Sequence, residues 1–297
     1  MALGRLEKLL RQRSAALASG PEKLLSAVGK AQRKIYEDLL LKIGQLERSG
    51  GRVVLSEANL ALVRTINNEL EGVLFGTDYV EAVSEFAASF KTTKEITDSA
   101  FKAAFPDFEG DQVADQVFRY SQRTAVEALT GATVETGFLE PLRGAISQAV
   151  STGADWTETV DLLRAMTIGD ADYDGKLAKY VKQVAWDALA VSDRTYAQAV
   201  AKELETEWWY YSGGELPTTR EFCIERMGKY WHTEEIRSWA SLEWKGKMDE
   251  VTTADTIFSY LGGWNCRHTL MPVSDLIVPM EDQIRAAEKG YWKIIEN

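Results

Sequence analysis

The sequence predicts a mainly α protein: a helical region over residues 1–205, a small α+β domain over 206–275 and a tail or helix over 276–297. Three observations carry this. Before Glu205 apolar residues recur at steps of three and four, the period of a helix face. At Glu207 that period stops, and Trp208, Trp209, Tyr210 and Tyr211 supply bulky residues with strand propensity. Both cysteines, both histidines and six of the nine tryptophans then fall between Glu207 and Val273.

At the N-terminus Leu3, Leu6, Leu10 and Leu17 share one helical face, and Gly20-Pro21 predicts a stop. A second helix is expected from Glu22 to Arg48, with Leu25, Val28, Ile35, Leu39, Ile43 and Leu46 on one side and Ser49-Gly50-Gly51 after it. Residues 1–50 then read as a basic helical hairpin. Ser56 stands ahead of a periodic run through Leu60, Val63, Ile66, Leu70 and Val73, where its hydroxyl can accept from the first turn. Gly76-Thr77-Asp78 predicts a break, followed by helices over Tyr79–Phe90 and Thr93–Phe105. Further helices are expected over Gln112–Leu129, Phe138–Ser151 and Trp156–Met166. The longest regular element spans Asp174–Glu205, with Leu177, Val181, Val184, Ala188, Val191 and Thr195 as the seam of a spine helix.

In the α+β module Trp208–Tyr211 is the first strand, turned by Ser212-Gly213-Gly214. Short helices are expected over Arg220–Met227 and Thr233–Ser241, the second with Thr233 as N-cap. Thr256–Leu261 is expected as a strand, Gly262-Gly263 as a turn, Thr269–Val273 as another strand and Glu281–Asn297 as a closing helix.

Charge is unevenly spread. Residues 1–52 hold 11 Lys/Arg against 5 Asp/Glu, and the remainder 23 against 40. The acidic bulk argues against wholesale coating of DNA, while Arg11, Arg13, Arg33 and Lys34 are candidate nucleic-acid contacts of a basic arm. Two cysteines do not make a disulfide scaffold, and no apolar run reaches the length of a membrane span. A charged N-terminus without an apolar signal core leads to the expectation of a chain made in a cytoplasm.

The last third carries a compound pattern: aromatic Trp208–Tyr211, then Thr219-Arg220-Glu221-Phe222-Cys223, Gly228, and Gly263-Trp264-Asn265-Cys266-Arg267-His268. The helix leading in carries Arg194. This pattern resembles the C-terminal domain of the phage Mu-F-like minor head proteins, the head-morphogenesis family. The resemblance covers roughly Arg194 to Ser274, and Pro217-Thr218 stands where that family commonly has an acidic residue. It implies a structural minor head protein of a tailed bacteriophage, assembled in the host cytoplasm and resident in the virion head. Its implied partners are the portal protein or the major capsid protein, with no membrane. It also implies Thr219, Arg220, Cys223, Gly228, Gly263, Asn265, Cys266, Arg267 and His268 as structural motif residues.

Chemically, Cys223, His232, Cys266 and His268 are the donor set of a closed zinc site, although Cys-x8-His is long and Cys-x-His short for a finger. A Cys223–Cys266 disulfide and plain packing that braces two loops are the alternatives. Arg220 and Arg267 can tie loop carbonyls together through their five donors. The clustered tryptophans read as the core of a small domain more readily than as a stacking platform, because the region lacks the basic groove such a platform needs. No His-Glu-x-x-His, P-loop or Gly-x-Ser-x-Gly occurs, and no catalytic residue is assigned. Three functional classes follow. The first is a head-assembly protein. The second is an internal head protein that binds phage DNA and leaves with the genome. The third is an enzyme of the ADP-ribosyl-transfer or nuclease kind, for which about two dozen residues after Val273 leave little room.

Overall fold

The computed structural model describes residues 2–76, 78–110, 112–170 and 174–294. Thr77 of the expected break, Met1 of the arm and the last three residues of the expected closing helix lie outside them, and the side chain of Leu3 is likewise not described. Helices dominate, as the periodicity predicts, and the strands form two small sheets. The chain divides into two compact units: Met1–Gly20, Ala88–Thr124 and Trp186–Asn297 form one, and Pro21–Ala87 with Ala125–Ala185 form the other. The first helix and the spine helix each supply residues to both units. No described helix is long and apolar enough to cross a membrane.

The expected N-terminal hairpin is instead one helix, α1 (Ala2–Ile43), with Pro21 inside it. An interior proline removes a backbone hydrogen bond and usually breaks a helix. Here the buried face stays in phase across it: Leu6, Leu10, Arg13, Leu17, Gly20, Leu24, Val28, Ile35, Leu39 and Ile43 are all buried. Gly20 is required by close packing, since a Cβ there would sit 2.5 Å from Ser89 Oγ.

In the second unit, β1 (Arg48–Ser49) and β2 (Arg52–Val53) form a minimal hairpin across Gly50 and Gly51, whose φ values of 58° and 80° suit a primed turn. Asn59 secures it, accepting from Glu47 N and donating to the carbonyls of Glu47 and Val54. Ser56 caps α2 (Glu57–Phe75) as predicted, accepting from Asn59 N at 3.2 Å. The two helices expected after it are one, α3 (Tyr79–Ala104). Thr93 lies inside it and bonds back to Ser89 O, so its hydroxyl does not start a new helix. Next come α4 (Gln112–Thr130), α5 (Ala132–Val134), a π-helical turn (Glu135–Leu139) and α6 (Glu140–Thr152), so most of the stretch between the two helices expected over Gln112–Leu129 and Phe138–Ser151 is itself helical. Asp155 caps α7 (Trp156–Thr167).

The spine is α8 (Lys176–Glu203). Its buried face runs through Leu177, Val181, Ala185, Leu189, Asp193, Tyr196 and Val200, so the seam predicted through Val184, Ala188, Val191 and Thr195 is only half-buried. Following apolar residues alone missed the turn of the face onto polar Asp193.

In the first unit a three-stranded antiparallel sheet has the order β4-β3-β5: β3 (Trp208–Ser212), β4 (Tyr230–His232) and β5 (Thr269–Val273). Trp208 pairs with His232 on one side and Val273 on the other. Between the strands lie α9 (Glu221–Ile224), α10 (Thr233–Ser238) and α11 (Ile257–Tyr260), and α12 (Met280–Glu288) follows. β4 was not expected, and α11 replaces the expected strand over Thr256–Leu261. Thr253 and Thr256 explain α11: each hydroxyl accepts from the other residue's backbone N–H, and Thr256 Oγ1 also donates to Val251 O, which turns the chain into a helical entry.

Arg13 is fully buried, which removes it from the candidate nucleic-acid contacts. Its Nη2 donates to Asp193 Oδ2 at 2.7 Å, its Nε also reaches that carboxylate, and Thr97 Oγ1 donates to Asp193 Oδ1 at 2.8 Å. Arg13 Nη1 reaches Leu270 O on β5. Its position on the inward face of α1 decides its role, and its charge is consumed by one carboxylate. Arg11, Arg33 and Lys34 are exposed.

Candidate functional site

Two loops of the first unit meet at buried cysteines. Cys223 lies in the first turn of α9, where its N–H bonds to Arg220 O, and it is 1% exposed. Cys266 lies 43 residues later, between α11 and β5, and the two Sγ atoms are 3.9 Å apart with both thiols free. His268 Nδ1 is 3.8 Å from Cys266 Sγ. The donor atoms of Cys223, Cys266 and His268 all lie within 4.8 Å of one another, and all three residues are buried. This cluster could hold a metal ion.

The loop carrying Cys266 is shaped by backbone conformation. Gly263 has φ 83° and Asn265 has φ 55°, so the chain passes twice through the left-handed region within three residues. Asparagine tolerates that region better than other side-chain-bearing residues, and Asn265 N–H donates to Asp187 Oδ1 at 2.8 Å. Burial raises the Asp187 carboxyl above its ordinary range, opposed by that hydrogen bond and by Arg194. A Cβ on Gly262 would come within 2.5 Å of Cys223 Sγ and 3.0 Å of Cys266 Sγ, so a side chain here would force the sulfurs apart.

Three arginines serve the motif. Arg194, on α8 and 2% exposed, donates from Nε to His268 O at 2.8 Å, from Nη1 to Ser259 O at 2.9 Å and from Nη2 to Cys266 O. One guanidinium thus gathers the carbonyls on both sides of the Cys266–His268 segment. Arg220 donates to Trp264 O at 2.6 Å while its guanidinium packs on Gly246, which joins the first loop to the second. Arg267 places its guanidinium 3.8 Å above the Trp186 ring. Of the remaining motif residues, Thr219 accepts from Leu216 N at 2.8 Å, and Gly228, with φ 77°, donates its N–H to Tyr211 O at 2.9 Å.

Electrostatics divides the two thiols. The contact with Cys266, together with burial, pushes the Cys223 thiol far up. The same contact, with Arg194 and His268 nearby, outweighs burial at Cys266 and holds it well below the ordinary thiol range.

His232 does not join this cluster, a correction to the four-donor set. It is the N-cap of α10: its Nδ1 accepts from Glu234 N at 3.3 Å, and Glu235 Oε2 accepts from His232 N at 3.2 Å, completing a capping box. The cap therefore falls one residue before Thr233, whose hydroxyl donates to Glu207 O instead. Among the six tryptophans only Trp264 is exposed. Trp209, Trp239 and Phe222 form the module's core with Trp231 and Trp244 against it, and Trp244 stacks on Phe222 at 4.1 Å. Their faces are used on one another, so they offer no stacking platform. Sequence reading missed the roles of Asp193, Asp187 and Tyr211; the two aspartates lie three residues either side of Ala190 on the spine helix, a signal visible only once the buried face is known.

No family model, curated protein or solved structure matches this chain. The family resemblance therefore stands on the motif residues themselves.

Proposed function

We propose that this chain is a structural minor head protein of a tailed bacteriophage, resident in the virion and acting in head assembly through the portal or the major capsid protein. The observation that supports it is convergence: the Thr219–Cys223 and Gly263–His268 halves of the compound pattern, far apart in sequence, meet through Arg220 on Trp264 O and Cys223 on Cys266. Burial also favours a structural clasp over turnover, because a nucleophilic Cys-His pair needs access for substrate, and Cys266 and His268 are 5% and 4% exposed. A zinc ion held there would be structural. The test is to locate the chain in purified particles and in complexes captured on portal and capsid proteins. Co-purification at a few copies per particle is expected, and absence from both particles and assembly intermediates rejects the proposal.

A second reading, an internal head protein that binds phage DNA, draws on the exposed Arg11, Arg33 and Lys34 of α1. Replacing these three with alanine should then flatten the salt dependence of DNA affinity, since each phosphate contact contributes about 0.9 to the log–log slope. No DNA binding at low salt removes this reading.

A further inference from the structure

We infer that Cys223, Cys266 and His268 are three ligands of a zinc ion that locks the two loops together, with the Tyr211 hydroxyl in the fourth position. The inference rests on the geometry of the donors and is independent of the head-assembly reading.

Two of the three donor edges match a coordination polyhedron, and the third, from Cys223 to His268, lies within 4.8 Å. With Zn–S near ~2.3 Å and Zn–N near ~2.0 Å, a tetrahedral ion needs its ligands about 3.8 Å apart between sulfurs and about 3.5 Å apart between sulfur and nitrogen. The observed edges are 3.9 Å for Cys223 to Cys266 and 3.8 Å for Cys266 to His268 Nδ1. A disulfide, by contrast, requires sulfurs about 2 Å apart. Two thiolates and an imidazole are soft and borderline donors, the set that selects zinc over magnesium or calcium.

Tyr211 supplies an independent pointer to a ligand. It is wholly buried, its ring lies 5.5 Å from the His268 ring, and its hydroxyl borders Cys223. Yet that hydroxyl has no hydrogen-bond partner of sound geometry. A buried phenol without a partner is costly, and a metal ion removes the cost. Arg194 provides the charge balance. It is a buried cation with no carboxylate in ion-pair range among the described residues, beside the donors that must become anionic to bind metal. Zinc with two thiolates and a phenolate carries one net negative charge, which Arg194 offsets. The ligands are also held in place before binding. Gly262 admits both sulfurs, Arg194 fixes the carbonyls of Cys266 and His268, and the Gly213 backbone packs so closely on the His268 ring that a Cβ there would overlap it.

The test uses the reduced full-length chain, analysed for metal as purified and then titrated with Zn²⁺ against a competing chelator. One zinc per chain is expected. Cobalt in its place should give the thiolate-to-metal band and the visible absorption of a tetrahedral ion. Cys223→Ser, Cys266→Ser and His268→Ala should each weaken binding by more than about a hundredfold, the most that loss of an outer-shell partner produces. His232→Ala should bind zinc normally. Should the cysteine variants not fold, the cobalt spectrum of the unaltered chain decides the question: a thiolate-to-metal band is expected, and its absence refutes the cysteine ligands. Tyr211→Phe should alter the cobalt spectrum and weaken zinc; an unaltered spectrum refutes the fourth ligand. A chain that takes up no zinc, or whose mass is two hydrogens lighter because Cys223 and Cys266 have joined, overturns the site.

Discussion

Replacing Arg13 with methionine probes the buried network on which the first unit is built. Asp193 is 1% exposed, and its carboxylate keeps only the Thr97 hydroxyl once the guanidinium is gone. Breaking a buried ion pair from one side costs about 3–5 kcal/mol, because the remaining charge is left uncompensated in a poorly polarisable interior. At about 1.4 kcal/mol per decade this shifts the unfolding equilibrium by roughly two to four powers of ten. Against the usual 5–15 kcal/mol for a domain, that is a large share of the total. Removing both partners, as Arg13→Met with Asp193→Leu, should recover most of the loss, leaving about 1–2 kcal/mol for the orphaned Thr97 hydroxyl and Leu270 carbonyl. Urea unfolding followed by tryptophan fluorescence is the assay, since eight of the nine tryptophans lie in this unit. A single variant within 1 kcal/mol of the unaltered chain, or a double variant no better than the single, refutes the reasoning.

Three further outcomes follow from the same contacts. Arg194→Lys retains the charge but loses the fork, so at least two of the carbonyls of His268, Ser259 and Cys266 go unpaired; a loss of about 3 kcal/mol is expected, with faster amide hydrogen exchange over residues 262–270 as the local readout. Gly262→Ala should cost about 1–3 kcal/mol by overpacking, read by urea unfolding, since the new methyl group drives the two sulfurs apart. Burial by itself would raise the Glu235 carboxyl, but Arg285, the His232 N–H and Lys289 outweigh it and hold it below the ordinary range. A depressed carboxyl stabilises the fold above the unfolded value of about 4.3 and loses that contribution as pH falls through the folded value. Glu235→Gln should therefore be less stable than the unaltered chain at pH 6, with the gap narrowing steadily under acid; a gap independent of pH contradicts this.

The elements that were legible in the sequence are those where local chemistry and burial agree. Ser56 caps α2, Trp208–Tyr211 and Thr269–Val273 are strands, and Cys223 and Cys266 face one another because their flanking glycine and arginine residues serve turns and carbonyls. Local signals failed where tertiary packing opposed them. Gly20-Pro21 carries a strong stop signal, yet the phase of Leu17, Leu24 and Val28 is unbroken across it, and burial of that face outweighs the lost hydrogen bond. Thr256–Leu261 has strand-like composition, but the hydroxyls of Thr253 and Thr256 bend the backbone before any ladder can form. His232 has the side chain of a metal ligand, but β4 places it at a helix start, where its ring nitrogen is needed as an acceptor.

Asp193 and Arg194 together explain how a helix positions a module with little regular structure. Successive residues of an α-helix point about 100° apart, so adjacent side chains on α8 address different neighbours. Asp193 binds Arg13 of α1 and Thr97 of α3, while Arg194 holds the carbonyls around Cys266 and His268. Apolar contacts tolerate a slip along the helix because one branched side chain can replace another. These two charges do not, for a shift of one residue would leave a buried carboxylate and a buried guanidinium both without partners. Buried ionic groups are weak evidence for stability and better evidence for register. The polar pair at the middle of the spine therefore sets where the clasp sits, and the clasp's own geometry is inherited from α8 more than from the loops that bear its cysteines.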